Sequence, residues 1–187
     1  RVADINPGPP NSDPAYFANF NGQLFLRATG NNNAGAELWR YDPTTKLPGI
    51  ADDINPGPTG SDPAFLASYN GALYFRANGD ANGAELWRWN GSDAGRLTDI
   101  NPGAGNANPA YMTVFNTLLY FSAKASDAQG TELWRSDGIG DSLFADINTA
   151  GDSNPSYLTV FNNALYFSAA STDGAGVELW KYDGTNA

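Results

Sequence analysis

The sequence predicts an all-β fold, a four-bladed β-propeller. Three observations predict it: a fourfold internal repeat of about 47 residues, strand and turn signals throughout each repeat, and chain ends that are complementary fragments of one repeat. The phrase Glu-Leu-Trp begins at Glu37, Glu85, Glu132 and Glu178, at spacings of 48, 47 and 46, and Asp-Ile-Asn begins at Asp4, Asp53, Asp99 and Asp146, at spacings of 49, 46 and 47. All four glutamates of the chain fall on that one repeat position, as do four of its five tryptophans, Trp39, Trp87, Trp134 and Trp180. The units run at about 6–54, 55–100, 101–147 and 148–187 plus 1–5, within one domain spanning 1–187, the size at which a single core is still expected.

Each unit reads as four antiparallel strands. An Asx-Pro entry (Asp13-Pro14, Asp62-Pro63, Asn108-Pro109, Asn154-Pro155) leads into a first strand such as Tyr16 to Phe20. Asn21-Gly22 and Asn70-Gly71 then supply two-residue hairpin turns, replaced by Asn116-Thr117 and Asn162-Asn163 in the later copies. The second strand, from Leu24, Leu73, Leu119 and Leu165, is apolar on both faces and is expected to be sandwiched between neighbours. A loop of Gly, Asn and Asp leads to the Glu-Leu-Trp strand, and a turn such as Ser136-Asp137-Gly138 to a short fourth strand. In hairpin register Tyr16 and Phe65 are expected opposite Arg27 and Arg76, and Tyr111 and Tyr157 opposite Ser122 and Ser168.

The ends bear on closure. Arg1 to Ile5 reads as a fourth strand without its first three, and the C-terminal repeat as three strands without their fourth. The expectation is a ring sealed by the N-terminal strand bonding into the last blade, which removes free sheet edges. The alternatives are half of an eight-bladed ring built from two chains, or a segment of a longer array. A first residue of Arg1 rather than Met points to a processed chain or a fragment.

Composition narrows the chemistry. There is no Cys and no His, which removes disulfides, thiolate nucleophiles, histidine bases and the usual zinc, copper and haem ligands. The net charge of −10 disfavours nucleic acid and anionic membrane, and no apolar run is long enough for a membrane helix. Cysteine-free, lysine-poor composition suits an extracellular or cell-surface bacterial protein. Asn90-Gly91-Ser92 matches a glycosylation acceptor, relevant only in a eukaryotic secretory route.

The runs Glu132-Leu133-Trp134-Arg135-Ser136-Asp137-Gly138 and Glu178-Leu179-Trp180-Lys181-Tyr182-Asp183-Gly184-Thr185, with Asp-Ile-Asn-Pro-Gly, resemble the ELWxxDGT repeats of large secreted or surface bacterial proteins. The resemblance covers the whole chain and implies a repeat architecture without a shared enzymatic activity. It departs from that pattern at Asp42-Pro43-Thr44 and at Asn90-Gly91-Ser92. In blade count and length the chain is also similar to hemopexin-type four-bladed propellers, whose channel can hold ions.

Candidate sites follow from the repeat. Glu and Trp of each Glu-Leu-Trp share one strand face, so Trp39, Trp87, Trp134 and Trp180 are expected in the core between blades. Glu37, Glu85, Glu132 and Glu178 are expected to accept hydrogen bonds from a neighbouring blade. Asp13, Asp62, Asn108 and Asn154 offer hard oxygen ligands of the kind calcium uses, if they ring a channel mouth; ordinary Asx turns are the alternative. Asp80-Ala81-Asn82-Gly83 resembles part of a calcium loop but lacks its spaced ligands. Trp89, the one Trp outside Glu-Leu-Trp, with Tyr41 and Tyr182 at the equivalent positions, is a candidate sugar-stacking aromatic beside Asp80 and Asn82. Arg27 and Arg76 need carboxylate or carbonyl partners, or mark an anionic-ligand site.

The expected function is therefore a non-enzymatic extracellular binding module, carbohydrate being the leading ligand and calcium a possible cofactor. The alternative is a structural module of a surface layer, filament or envelope complex acting through protein contacts, with homo-oligomers included. A hydrolase would need two carboxylates about 5 to 10 Å apart in one cleft, one with a raised pKa.

Overall fold

The computed structural model describes residues 1–31, 33–79 and 81–185. One antiparallel sheet forms per repeat, and its strands follow chain order across the sheet. The first is β1 (Ala15–Phe20), β2 (Gln23–Thr29), β3 (Ala36–Asp42) and β4 (Leu47–Asp52); the second is β5 (Ala64–Tyr69), β6 (Ala72–Asn78), β7 (Ala84–Trp89) and β8 (Ala94–Arg96). The third is β9 (Ala110–Phe115), β10 (Leu118–Ser126), β11 (Gly130–Ser136) and β12 (Asp141–Ala145); the fourth is β13 (Ser156–Phe161), β14 (Ala164–Ala170) and β15 (Val177–Tyr182).

All four β-hairpins between first and second strands turn through two left-handed residues, the geometry that matches the strands' own twist. The φ values are +49° and +75° at Asn21-Gly22, +46° and +74° at Asn70-Gly71, +45° and +65° at Asn116-Thr117, and +46° and +58° at Asn162-Asn163. Glycine adopts the second position freely; Thr117, β-branched, does so against its preference.

Contacts divide the chain into two compact units, one of Arg1–Ala81 with Trp87–Arg96, the other of Asn82–Leu86 with Leu97 onward. In the first, Phe20, Phe25, Leu38, Ile54, Leu73, Phe75 and Trp87 close one cluster, and Leu26, Ala28 and Trp39 a second against which Ile5 and Ile50 pack. In the other, Phe115, Tyr120, Leu133, Leu158, Leu165 and Phe167 form the core. The apolar second strands are buried as expected except at Leu24, which is exposed, and each buried side chain contributes about 1.5–3 kcal/mol. Gly79 illustrates the fit: a Cβ there would meet the Trp87 ring at 2.0 Å.

Arg1 to Ile5 carries no strand, and β15 has only β14 beside it among the described residues. Leu179 of β15 is 77% exposed, whereas its counterparts Leu38, Leu86 and Leu133 are at 0%.

Candidate functional site

The repeat's polar residues form a lock between consecutive repeats. Glu37 accepts from the Ile54 N–H (3.0 Å), the Ser61 N–H (2.7 Å) and the Ser61 hydroxyl (2.6 Å). Glu132 accepts from the Ile147 N–H (2.7 Å), the Ser153 N–H (2.9 Å) and the Ser153 hydroxyl (2.7 Å). Glu85 accepts from the Ile100 N–H (2.9 Å) and the Ala107 N–H (3.1 Å), alanine standing where the other copies have serine. These three carboxyls are fully buried. Burial outweighs the donated bonds and pushes Glu37 and Glu85 up to about 7, and raises Glu132.

The segment that carries the donors is itself shaped by the Asn of Asp-Ile-Asn. Asn6, Asn55, Asn101 and Asn148 each donate a side-chain N–H to a carbonyl four or five residues on, at Asn11, Gly60, Asn106 and Asp152, over 2.8 to 3.2 Å. The amide thus bridges the whole loop, and at Asn148 its oxygen also accepts from the Ala150 N–H two residues on, at 3.3 Å. Glu178 differs from the other three glutamates in being exposed, so the expectation of a bonded Glu holds for three copies.

Trp39 and Trp87 are buried as expected, and Trp134 and Trp180 are half-buried, the Trp180 indole donating to the Ala169 carbonyl at 3.0 Å. The sugar-stacking assignment of Trp89 is corrected: it is 2% exposed and packs on Phe25 with ring centroids 6.0 Å apart, because a large apolar ring at that position fills the first unit's core. Tyr182 is likewise half-buried among Phe115, Tyr120 and Phe144, and Tyr41 is half-buried beside Pro48. Asn82 is half-buried in its loop, and Asp80 lies outside the described residues.

The first strands hold what the sequence reading missed. Asp13, Asp62, Asn108 and Asn154 have φ of +41° to +49°, and three residues later Tyr16, Phe65, Tyr111 and Tyr157 have φ of +53° to +57°. An aromatic held there costs on the order of 1 kcal/mol or more. Each creates a bulge, so Ala15, Ala64, Ala110 and Ser156, not the aromatics, stand opposite Arg27, Arg76, Ser122 and Ser168. The signal was present as Asx-Pro-small-aromatic four times over, but a period-two reading of the strand cannot register an extra residue.

The freed aromatics pair within each unit: Tyr16 with Phe65 at 5.4 Å between centroids, Tyr111 with Tyr157 at 5.5 Å. Arg76 lies over the Phe65 ring at 5.4 Å, and Arg27 binds Asp62 of the following repeat at 2.9 Å, the carboxylate partner expected for it. Tyr157 is 74% exposed, Tyr16 is exposed, and all four Asx side chains beside these aromatics are exposed. The Asx backbones serve the connection: the N–H groups of Asp62, Asn108 and Asn154 donate to the carbonyls of Ala36, Ala84 and Thr131 over 3.0 to 3.1 Å. Among the described residues no three His, Cys, Asp or Glu side chains come together as a metal site.

One cleft of about 390 Å³ in the second unit contains two carboxyls, lined by Arg135, Asp137, Asp141 and Ser142. Burial raises Asp141, whose carboxyl accepts from Thr98, and N–H groups of Ile139 (2.8 Å) and Gly140 (3.0 Å) hold Asp137 low.

No protein-family model matches the chain, and no curated protein does. Among solved structures it is similar to TolB from Acinetobacter baumannii (TM-score 0.51, 16% identity, 92% of this chain and 43% of that one). It is similar also to Zg3597, a family 117 glycoside hydrolase of the marine bacterium Zobellia galactanivorans (TM-score 0.51, 13% identity, 94% and 67%), and to a prolyl endopeptidase (TM-score 0.50, 12% identity, 85% and 24%). The chain thus spans less than half of the TolB chain and about a quarter of the endopeptidase. At these identities the likeness is one of fold, and the fold of this chain is all-β and propeller-like.

Proposed function

We propose that the chain is a non-catalytic binding module of an extracellular or cell-surface protein, taking carbohydrate on the left-handed aromatics of its first strands. The observation that carries this reading is the exposure of strained aromatic rings: Tyr157 is 74% exposed, with the Tyr111 ring tilted against it, and Tyr16 is exposed beside Phe65. A backbone conformation that costs energy is maintained four times and leaves two of the four rings, Tyr16 and Tyr157, exposed, with exposed Asx groups three residues before each ring. A ring face takes the apolar C–H face of a sugar, and the adjacent carboxylates and amides take its hydroxyls.

The acid chemistry supports binding over hydrolysis. The carboxyls with the highest pKa, Glu37 and Glu85, are sealed from any substrate and spend their oxygens on backbone N–H groups. In the open cleft, Asp141 is engaged by Thr98 and Asp137 by its own turn. A glycan array probed with the purified chain tests the reading, with Tyr157→Ala and Tyr16→Ala in parallel and each arm repeated in chelator. Binding that is lost in the Tyr variants supports it; loss in chelator as well brings in calcium; absence of binding in every arm refutes it.

The assembly reading is favoured by a different observation, the exposed apolar side chains of Val177 and Leu179 on β15, and it is independent of the sugar site.

A further inference from the structure

We infer that the first unit holds an oligosaccharide, and not a single sugar, along the seam between β1 and β5. The inference rests on the sugar reading of the preceding subsection and sets the length of its ligand. The two strands touch at both ends of this seam. At one end the Tyr16 and Phe65 rings lie 5.4 Å apart. At the other, the Ser68 hydroxyl donates to the Asn19 carbonyl at 2.7 Å. Three residues along each strand separate the two contacts, roughly 10 Å of chain.

The far end is a cleft of about 270 Å³, lined by Asn19, Asn21, Ser68 and Asn70 with the hairpin backbone around them. All four polar side chains are exposed, and among the described residues the amides of Asn19, Asn21 and Asn70 make no hydrogen bond. Each amide offers two donors and an acceptor, and Ser68, its proton committed to Asn19, still offers lone pairs. None of these groups is charged, and a neutral set of neighbouring donors and acceptors matches the hydroxyls of a sugar. A single sugar stacked on Tyr16 leaves this cleft unused. A chain of linked sugars reaches it, and the second contact then forms within one complex, so affinity rises with ligand length.

The second unit supplies the contrast. Its seam, β9 against β13, carries the corresponding aromatic pair, Tyr111 and Tyr157, but has Val114 and Val160, both exposed, at the positions of Asn19 and Ser68. Thr113 and Thr159 stand where the first unit has Ala18 and Ala67, and the Thr113 hydroxyl is taken up by the Leu158 carbonyl at 2.8 Å. The hairpin turns that follow share one left-handed geometry in all four copies, so valine and asparagine are alternatives on the same local backbone. One seam runs from aromatic to amide, the other from aromatic to aliphatic, and the length dependence belongs to the first.

The test is an array carrying ladders of one to four linked sugars, one ladder of neutral and one of uronic-acid homo-oligosaccharides. It is probed with the native chain, Tyr16→Ala, and the double variant Asn19→Val with Ser68→Val. The double variant gives the first unit the side chains that the second already holds, and circular dichroism checks its fold; Asn19→Ala, at an exposed position, is a milder second route to the same readout. Binding in at least one ladder is expected to strengthen about tenfold or more between one sugar and three. The double variant should lose that gain, Asn19→Ala should reduce it, and Tyr16→Ala should weaken the binding of the three-sugar ligand. Binding that does not change with length, or a gain that survives in both Asn19 variants, overturns the inference and leaves the sugar reading standing. Absence of binding at every length in both ladders overturns the two together.

Discussion

The buried glutamates permit a comparison in which one substitution is made at four equivalent positions and the structure ranks the outcomes. Replacing Glu132 by Ala removes the acceptor of the Ile147 and Asn148 N–H groups and leaves the Ser153 N–H and hydroxyl to share the Thr131 carbonyl. Each orphaned donor costs about 1–3 kcal/mol, so the substitution is expected to cost about 3–6 kcal/mol even after partial relaxation, a large share of a domain's ~5–15 kcal/mol. Glu37→Ala should match it, since the Ile54 N–H and the Ser61 hydroxyl lose their acceptor while the Ser61 N–H keeps only the Ala36 carbonyl. Glu85→Ala orphans two donors and should cost about 2–5 kcal/mol. Glu178→Ala, at an exposed residue, should stay within about 0.5 kcal/mol in dilute monomer. The assay is urea unfolding followed by tryptophan fluorescence, with amide exchange of Ile54, Ile100 and Ile147 as the local readout. Equal costs at Glu132 and Glu178 in a monomeric sample would refute the reasoning, and so would a Glu132→Ala cost below about 1 kcal/mol.

Four further expectations concern single groups. Glu37 and Glu85 are raised by burial to about 7, so their stabilising contribution is present below about 4.5 and is lost as pH rises through about 7; thermal melts should show higher stability at pH 5.5 than at pH 8, by at most about 3 kcal/mol per glutamate, with Glu85→Gln flattening the profile. Ala107→Ser restores the hydroxyl that Ser61 and Ser153 supply to their glutamates and should add about 1 kcal/mol, read from the urea midpoint. Thr117→Gly relieves a β-branched residue at φ +65° and should stabilise by about 1 kcal/mol in the same assay. Gly79→Ala drives a methyl into the Trp87 ring and should cost several kcal/mol, with a shifted tryptophan emission.

The repeat was legible because its chemistry is local and periodic. The Asn-Gly pairs gave the hairpins, the apolar runs at Leu24, Leu73, Leu119 and Leu165 gave the second strands, and the coincidence of every glutamate with one repeat position pointed to a bonded structural role. The site was less legible. Trp89 looks like a surface aromatic when read beside polar loops, yet it faces Phe25, since the side of a strand on which a residue sits is set by packing that spacing alone does not encode. The bulges escaped for a related reason: one left-handed residue at Tyr16 or Phe65 shifts everything upstream of it by one place.

The same four-copy logic separates structural from functional positions. Residues identical in all four units and buried in three, Glu and Leu of Glu-Leu-Trp, are explained by the lock. Tyr16 and Tyr157 occupy equivalent positions yet remain exposed, each with a single ring contact, to Phe65 and to Tyr111, to set against a strained backbone. The copies also diverge where the aromatics sit: Arg27 and Arg76 flank the pair in the first unit, Ser122 and Ser168 that in the second. A cationic and a neutral setting around otherwise similar aromatic pairs favour different ligand charges. If both pairs bind sugar, acidic glycans should be held by the first pair and lost on Arg76→Ser, while neutral glycans should be lost on Tyr157→Ala; an array in which neither variant changes the ranking of acidic over neutral glycans would show that the aromatics do not read the ligand.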